Sequence, residues 1–240
     1  MKKQLALGLC LATLVSSAAM TAVDAHGVWF ANRLDEKALV LGEGPLDNAY
    51  SPSCVQKIDG YTTMGQVAPV TVVNHHKNVS ILTPDNLGVT ATYFDYGYFT
   101  KTTDGKMVNK PFNQVPNAVK TTHAIKWNIN YWDASAKPMV ISDMPIQIVP
   151  MVNPLTLKKG DTFEIQVLKD GKPMANAPLI KDVLNDLTNE SQADANGRAT
   201  VTVNANGLNV IGVEIGYPSG DAGTQNKYFS SLSFTIYPEE

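Results

Sequence analysis

The sequence is poor in the features that mark disulfide-rich, membrane-spanning and nucleic-acid-binding proteins. Its 240 residues include two cysteines, and Cys10 lies in an N-terminal apolar run, which leaves Cys54 without a disulfide partner in an exported form. Beyond that run, no apolar stretch approaches the ~20 residues that a membrane-spanning helix needs. A formal net charge of −3 without a basic cluster excludes an electrostatic surface for nucleic acid or anionic lipid.

Recognisable catalytic motifs are also missing. The sequence contains no Gly-x-Ser-x-Gly elbow, His-Glu-x-x-His pair, phosphate-binding loop or dinucleotide fingerprint. We therefore predict that the protein is not an enzyme. One alternative stays open, because an N-terminal histidine chelate with a second histidine is an arrangement that oxidative copper enzymes also use.

The first 25 residues have the order of a secretory signal peptide. Lys2 and Lys3 precede the apolar run of residues 5–15, and small residues follow that run. Because the run is shorter than a membrane anchor, it predicts a cleaved signal, export to the periplasm and no direct membrane insertion of the mature protein.

Small residues at Val23 and Ala25 predict cleavage after Ala25, which makes His26 the first residue of the mature protein. Cleavage after Ala19 or Ala22 is the alternative. Removal of residues 1–25 takes the formal net charge from −3 to about −4, because two lysines and one aspartate depart. The mature protein is therefore mildly acidic.

Short runs rich in β-branched and aromatic residues dominate the first half of the mature chain. Residues 67–73 and 79–82 are two such runs, and the Asn-His-His-Lys-Asn segment between them predicts a hairpin. Residues 89–100 continue the pattern up to a Thr-Asp-Gly-Lys turn. Helical spacing occurs at Ala124, Trp127 and Tyr131, so the stretch 118–132 favours a helix, although two asparagines oppose it.

Four closely spaced prolines interrupt the chain after this region, at Pro138, Pro145, Pro150 and Pro154. Prolines at this density are compatible with edge strands, turns or a stiff linker. We therefore place a domain boundary near Met151, which predicts an N-terminal β-rich module of residues 26–150 and a C-terminal module of residues 151–240.

The C-terminal module has regular alternation and frequent turns. Phe163, Ile165 and Val167 alternate with polar residues and end at a Lys-Asp-Gly-Lys turn. Asn-Gly pairs at 196–197 and 206–207 predict two further turns, and the last strand places apolar and polar residues on opposite faces. The chain is thus predicted to be all-β, with two β-sandwich-like modules, of which the C-terminal one is immunoglobulin-like or prealbumin-like.

Four segments together resemble a periplasmic family, otherwise of unknown function, that accompanies cobalt and nickel ABC-type uptake systems. They are residues 25–30 (AHGVWF), 94–105 (FDYGYFTKTTDG), 154–163 (PLTLKKGDTF) and 193–199 (ADANGRA). The resemblance implies a soluble protein that supplies nickel or cobalt, and a partner among inner-membrane transporter subunits. It assigns no metal ligands, so these have to be found from the chemistry of the residues.

The mature chain has four histidines, and imidazole binds nickel, cobalt, copper and zinc alike. If the mature chain begins at His26, its α-amine and imidazole can close one chelate ring around a divalent transition-metal ion. The α-amine pKa of about 8 is low enough for a metal to displace the proton. A solvated terminal histidine without function is the alternative interpretation.

The other three histidines are the remaining ligand candidates. His123 is the preferred second ligand beside His26, and a hydrogen-bonded structural histidine is its alternative. His75 and His76 are adjacent, so in a regular strand they would point to opposite faces, whereas in a turn both could reach one ion. The affinity order of divalent metals favours copper, while the family resemblance favours nickel or cobalt.

Soft ligands and a function without metal are further alternatives. Cys54 could be a ligand or a reactive thiol, and Met139, Met144 and Met151 could bind Cu(I). Packing is the favoured role of the methionines, because methionine commonly fills irregular cores, and a lone buried cysteine is the favoured interpretation of Cys54. A structural or adhesive β-sandwich module in the periplasm is the competing functional class, because this type of fold hosts many unrelated tasks.

Overall fold

The computed structural model describes residues 26–237, which form seventeen β-strands and three short 3-10 helices. The 3-10 helices are Pro52–Cys54, Phe112–Gln114 and Pro154–Thr156. The strands, numbered in chain order, are β1 (Gly27–Arg33), β2 (Glu36–Gly42), β3 (Val55–Thr62), β4 (Val67–Ala68), β5 (Thr71–Asn74), β6 (Val79–Leu82), β7 (Leu87–Thr102), β8 (Met107–Val108), β9 (Ala118–Tyr131), β10 (Ile146–Pro150), β11 (Thr162–Lys169), β12 (Lys172–Pro173), β13 (Pro178–Asp182), β14 (Asp186–Gln192), β15 (Arg198–Thr202), β16 (Gly207–Tyr217) and β17 (Thr224–Ile236).

The strands form three sheets. The N-terminal sheet has the order β1-β2-β6-β5, and the C-terminal sheet has the order β10-β11-β12 with β15 paired to β11. The large sheet has the order β14-β13-β16-β17-β9-β7-β3-β4, with β8 added to β7. The chain is therefore all-β with stacked sheets, which confirms the predicted fold class.

The two smaller sheets cover opposite faces of the large sheet. Phe94, Lys126 and Phe229 are aligned across neighbouring strands, and Phe94 and Phe229 pack against residues of the N-terminal sheet. Ile129 and Leu232 are aligned three positions further on and pack against the C-terminal sheet. Because side chains alternate along a strand, positions three apart point to opposite faces.

The β1–β2 hairpin is buried on both of its faces. Val28 and Phe30 belong to a core with Phe94, whereas Trp29 and its cross-strand partner Val40 pack against Phe229. This double burial explains why Val28–Phe30 and the facing residues of β2 form continuous apolar runs rather than an alternating pattern.

The predicted helix over residues 118–132 is wrong, because this stretch forms strand β9. Trp127, Ile129 and Tyr131 alternate with Lys126 and Asn128, which gives the period of a strand. β9 pairs with β7 on one side and runs parallel to β17 on the other. Backbone pairing on both sides and burial of alternate side chains outweigh the weak helical spacing.

Most of the predicted turns are confirmed. Residues 75–78 connect β5 and β6, and Asp170 and Gly171 connect β11 and β12 with positive φ values of 51° and 72°. The predicted run 67–73 is divided, because Val67–Ala68 joins the large sheet and Thr71–Asn74 joins the N-terminal sheet. A proline at position 69 ends the first of these strands.

The predicted domain boundary near Met151 falls directly after β10. Two sheets nevertheless combine strands from both sides of this position, since β10 pairs with β11 and β9 pairs with β17 over eleven residue positions. The division into two modules therefore stays a prediction. Within residues 26–237, no helical segment combines the length and apolar character needed to cross a membrane. The predicted signal peptide, residues 1–25, lies outside the described residues.

Candidate functional site

His26 directly precedes β1 and lies opposite Glu43. The pairing of Gly27 with Gly42 is the first position of the β1–β2 ladder, so His26 and Glu43 occupy the next position at its open end. The His26 Nδ1 atom is 3.8 Å from Glu43 Oε2. Both side chains are largely covered, with relative exposures of 15% and 25%. Hairpin register thus brings an imidazole and a carboxylate together.

A tight loop after β2 supplies a third polar side chain. The Leu46 N–H donates to the Glu43 carbonyl, and the Asn48 N–H donates to the Leu41 carbonyl at 2.7 Å, which returns the chain to β2. A Cβ at Gly42 would lie 2.0 Å from the Leu46 carbonyl oxygen, so only glycine allows this close approach. The Asn48 Nδ2 atom consequently lies 2.5 Å from His26 Nε2.

The environment of His26 favours its neutral form. Burial lowers the pKa of the His26 imidazole, the Glu43 carboxylate raises it in part, and the Lys126 ammonium lowers it again. Nδ1 is buried and has no hydrogen-bond partner among residues 26–237. The Tyr96 ring lies beside the imidazole, with centroids 6.1 Å apart. A neutral imidazole with one nitrogen left without a partner is the form that binds metal ions.

His123 lies on a different face of the large sheet. His123 and Lys126 are three positions apart on β9 and point to opposite faces, and Lys126 lies on the face of the N-terminal sheet. The structure therefore does not bring His26 and His123 together, because the sheet itself separates them. A joint site of these two histidines, as the sequence suggested, is incompatible with this arrangement.

His123 has partners of its own. Its ring stacks on Tyr98 with centroids 4.0 Å apart, and Nε2 lies 2.9 Å from Asp95 Oδ1. Burial raises the pKa of Asp95, but the hydrogen bond and charge of His123 and the Gly97 N–H outweigh it and leave the pKa below its usual value. These contacts match the alternative of a hydrogen-bonded structural histidine.

The His75 and His76 pair lies at the tip of the β5–β6 hairpin. His75 Nε2 lies 2.7 Å from Ser80 Oγ and 3.2 Å from Glu36 Oε2. His76 is exposed and has a positive φ of 69°, as in a turn. Glu36 begins β2 and Glu43 follows its end, so roughly 24 Å, at 3.4 Å per residue, separates Glu36 beside His75 from Glu43 at the His26 site.

Three of the four soft-ligand candidates, Met144, Met139 and Cys54, contribute to packing. Met144 is buried in the core beneath the C-terminal sheet, and Met139 packs against the same core. Cys54 is half-buried beside the core that contains Val28, Phe30 and Phe94, and burial raises the pKa of its thiol. A raised pKa keeps the thiol protonated, which is unfavourable for metal binding.

No three His, Cys, Asp or Glu side chains within residues 26–237 are close enough to hold a metal ion together. His26 and Glu43 form a pair, so a metal site there requires a donor that is not a side chain. Asn48 and Glu43 had no role in the sequence analysis, because a loop glutamate and asparagine carry no motif. The register of the β1–β2 hairpin is the signal that would have identified them.

A cleft of about 1070 Å³ lies at the opposite end of β1, near Asn32 and Trp132. Lys158, Lys159 and Asp161 supply its charged side chains. The four histidines are not part of its lining, so the cleft adds no ligand to the His26 site.

Comparison with known proteins identifies a family for this chain. A family model described as "Domain of unknown function (DUF4198)" matches residues 45–216, which is more than half of the sequence. The chain belongs to the DUF4198 family. His26 and Glu43 precede the matched segment, and Asn48 lies inside it.

Two further similarities were found. A protein of Haemophilus influenzae described as uncharacterized is 25% identical over 194 residues, which is 78% of this chain and 80% of that protein. Among solved structures, the D0-D1 domain of intimin matches at 12% identity and a TM-score of 0.17, over 88% of this chain and 97% of the intimin chain. This TM-score is too low for a comparison of the two folds.

Proposed function

We propose that the mature protein binds a divalent transition-metal ion at His26 and supports nickel or cobalt uptake by a membrane transporter. The buried His26 Nδ1 atom, which has no hydrogen-bond partner among the described residues and faces Glu43, is the observation that carries this proposal. The α-amine and Nδ1 of His26 and one Glu43 oxygen are the proposed donors. The ion is the protein's cargo.

The spacing of these donors fits a metal ion. Imidazole nitrogen and carboxylate oxygen each bind such ions at about 2.0–2.2 Å. An ion at that distance from both His26 Nδ1 and Glu43 Oε2 is compatible with the 3.8 Å separation of these two atoms. The α-amine of His26 closes a chelate ring with Nδ1 once signal cleavage after Ala25 releases it.

The donor types restrict the class of metal. Two nitrogens and one oxygen suit nickel, cobalt, copper and zinc, whereas magnesium and calcium prefer all-oxygen sites. The Lys126 ammonium, which has interactions of its own, acts against a bound cation. The Glu43 carboxylate opposes that effect. Copper has the highest intrinsic affinity for such donors, and nickel or cobalt is favoured by the family resemblance.

Titration calorimetry of protein with its native terminus tests the site with Ni(II), Co(II) and Cu(II). His26→Ala and a variant with one glycine added before His26 should each weaken binding at least tenfold, because loss of a direct ligand should cost at least as much as the ~10–100-fold measured for outer-shell partners. Glu43→Gln, which keeps the shape but removes the charge, should weaken binding in the same range.

His123→Ala and the double variant His75→Ala/His76→Ala are matched controls, because they remove imidazoles from the other face of the sheet and from the hairpin tip. Both should retain the affinity of the wild type. Equal binding by the wild type, the extended form and His26→Ala would refute the site and support a structural or adhesive module. Uptake of radiolabelled nickel by cells that lack the gene tests the transport role separately.

A further inference from the structure

Asn48 contacts the side of the His26 ring that faces away from Glu43. Its Nδ2 atom is 2.5 Å from His26 Nε2, and its backbone is held to β2 by the 2.7 Å hydrogen bond to the Leu41 carbonyl. The isolated bridge between Leu41 and Asn48 fixes the position of the asparagine relative to the hairpin. Asn48 is therefore placed to control the His26 ring.

A neutral imidazole carries its proton on one nitrogen and a lone pair on the other. When the Asn48 amide donates to Nε2, the ring proton is on Nδ1, which then cannot bind a metal ion. When the amide is rotated by half a turn, its Oδ1 accepts from an Nε2–H, and the Nδ1 lone pair is available. The two orientations have nearly the same shape and differ in their hydrogen bonding.

We infer that Asn48 is a positioning residue, whose Oδ1 accepts the Nε2–H of His26 in the metal-bound protein and so directs the Nδ1 lone pair toward the ion. This inference rests on the proposed function. The Glu43 oxygen is 3.8 Å from Nδ1, which is too far for a hydrogen bond, and Nδ1 has no other hydrogen-bond partner within residues 26–237. Asn48 thus determines the tautomer from the opposite nitrogen.

The arrangement has a physical basis in other metal sites. A histidine ligand usually donates its second ring N–H to an acceptor, which fixes the tautomer and the orientation of the ring and increases the basicity of the metal-binding nitrogen. Loss of such an acceptor costs about 10–100-fold in metal affinity. Asn48 supplies this acceptor for the site formed by His26 and Glu43.

The test uses zinc as a diamagnetic probe, protein with its native terminus, and histidine labelled with an NMR-active nitrogen isotope. Asn48→Ala removes the acceptor, Asn48→Asp leaves a group that can only accept, and Asn109→Ala changes an exposed asparagine in the turn after β8 as a control. Zinc-bound wild type should show metal at Nδ1 and a slowly exchanging proton at Nε2.

Asn48→Ala should bind zinc about 10–100-fold more weakly and lose the slow Nε2 proton. Asn48→Asp should retain both the affinity and the proton, and Asn109→Ala should match the wild type. A slow Nε2 proton that survives in Asn48→Ala would overturn the inference and leave the proposed site intact, whereas zinc at Nε2 would overturn the inference and the proposed site together. A wild type that does not bind zinc would overturn both.

Discussion

Gly27→Ala is expected to disturb the start of β1 through the Phe229 ring. A Cβ at Gly27 would lie 2.5 Å from Phe229 Cε1, whereas carbon atoms in contact are separated by about 3.5–4.0 Å. The strand start or the ring must therefore move by about 1 Å. The ring is fully buried, and a Cβ at Gly212 would lie 2.7 Å from its Cζ atom, so the backbone confines it on two sides.

Overpacking of this kind typically costs about 1–3 kcal/mol of unfolding free energy. In a protein of this size each kcal/mol lowers Tm by about 2–4 °C, so Gly27→Ala should lower Tm by about 2–12 °C. Gly220→Ala is the control, because a Cβ there meets open space and the backbone is not left-handed. Scanning calorimetry of both variants measures the difference.

A double-mutant cycle with Phe229→Leu tests the cause. The smaller side chain costs stability by itself, about 1–2 kcal/mol, but it relieves the clash with the new methyl group. The double variant should therefore be more stable than the sum of the single changes predicts, by about 1 kcal/mol or more. Additivity within about 0.5 kcal/mol would refute the reasoning, because it would mean that the ring does not confine the strand start.

Three other predictions concern the site and the sheet that supports it. Intact mass and N-terminal sequencing of exported protein should give His26 as the first residue, and a start at Met20 or Val23 would contradict this. Glu43→Gln should lower the pKa of His26 further in an NMR titration without metal, because the carboxylate now raises it against burial and Lys126; an unchanged or higher pKa would show that the two groups do not interact. Asn128→Ala should lower the unfolding free energy by about 1–3 kcal/mol, because the buried amide donates to Ser231 Oγ at 3.0 Å and Ser233 Oγ at 2.9 Å. Urea denaturation measures this loss, which should be absent in Asn109→Ala.

The local sequence was sufficient to predict the fold class and most turns, because these depend on residues close in the chain. Asp170 and Gly171 adopt the left-handed backbone that a Lys-Asp-Gly-Lys segment favours. Leu232 and Phe234 pack in the core between the large sheet and the C-terminal sheet, while Ser231 and Ser233 contact Asn128. This arrangement confirms the alternation predicted for the last strand.

The sequence could not show how distant strands pair. β9 is a strand because β7 and β17 pair with it on both sides, and its own sequence has a weak helical spacing that this pairing overrides. The same pairing places His123 and Lys126 on opposite faces of the sheet. Local sequence motifs could not reveal that separation.

The candidate site shows the same division between sequence and tertiary structure. The chemistry of His26 follows from the sequence, because a predicted cleavage site makes one residue both an amine and an imidazole donor. Glu43 and Asn48 joined it only through the register of the β1–β2 hairpin and the close packing of the next loop on Gly42. Ligand type is a property of single residues, whereas the distance between ligands depends on strand pairing and packing, which only the tertiary structure decides.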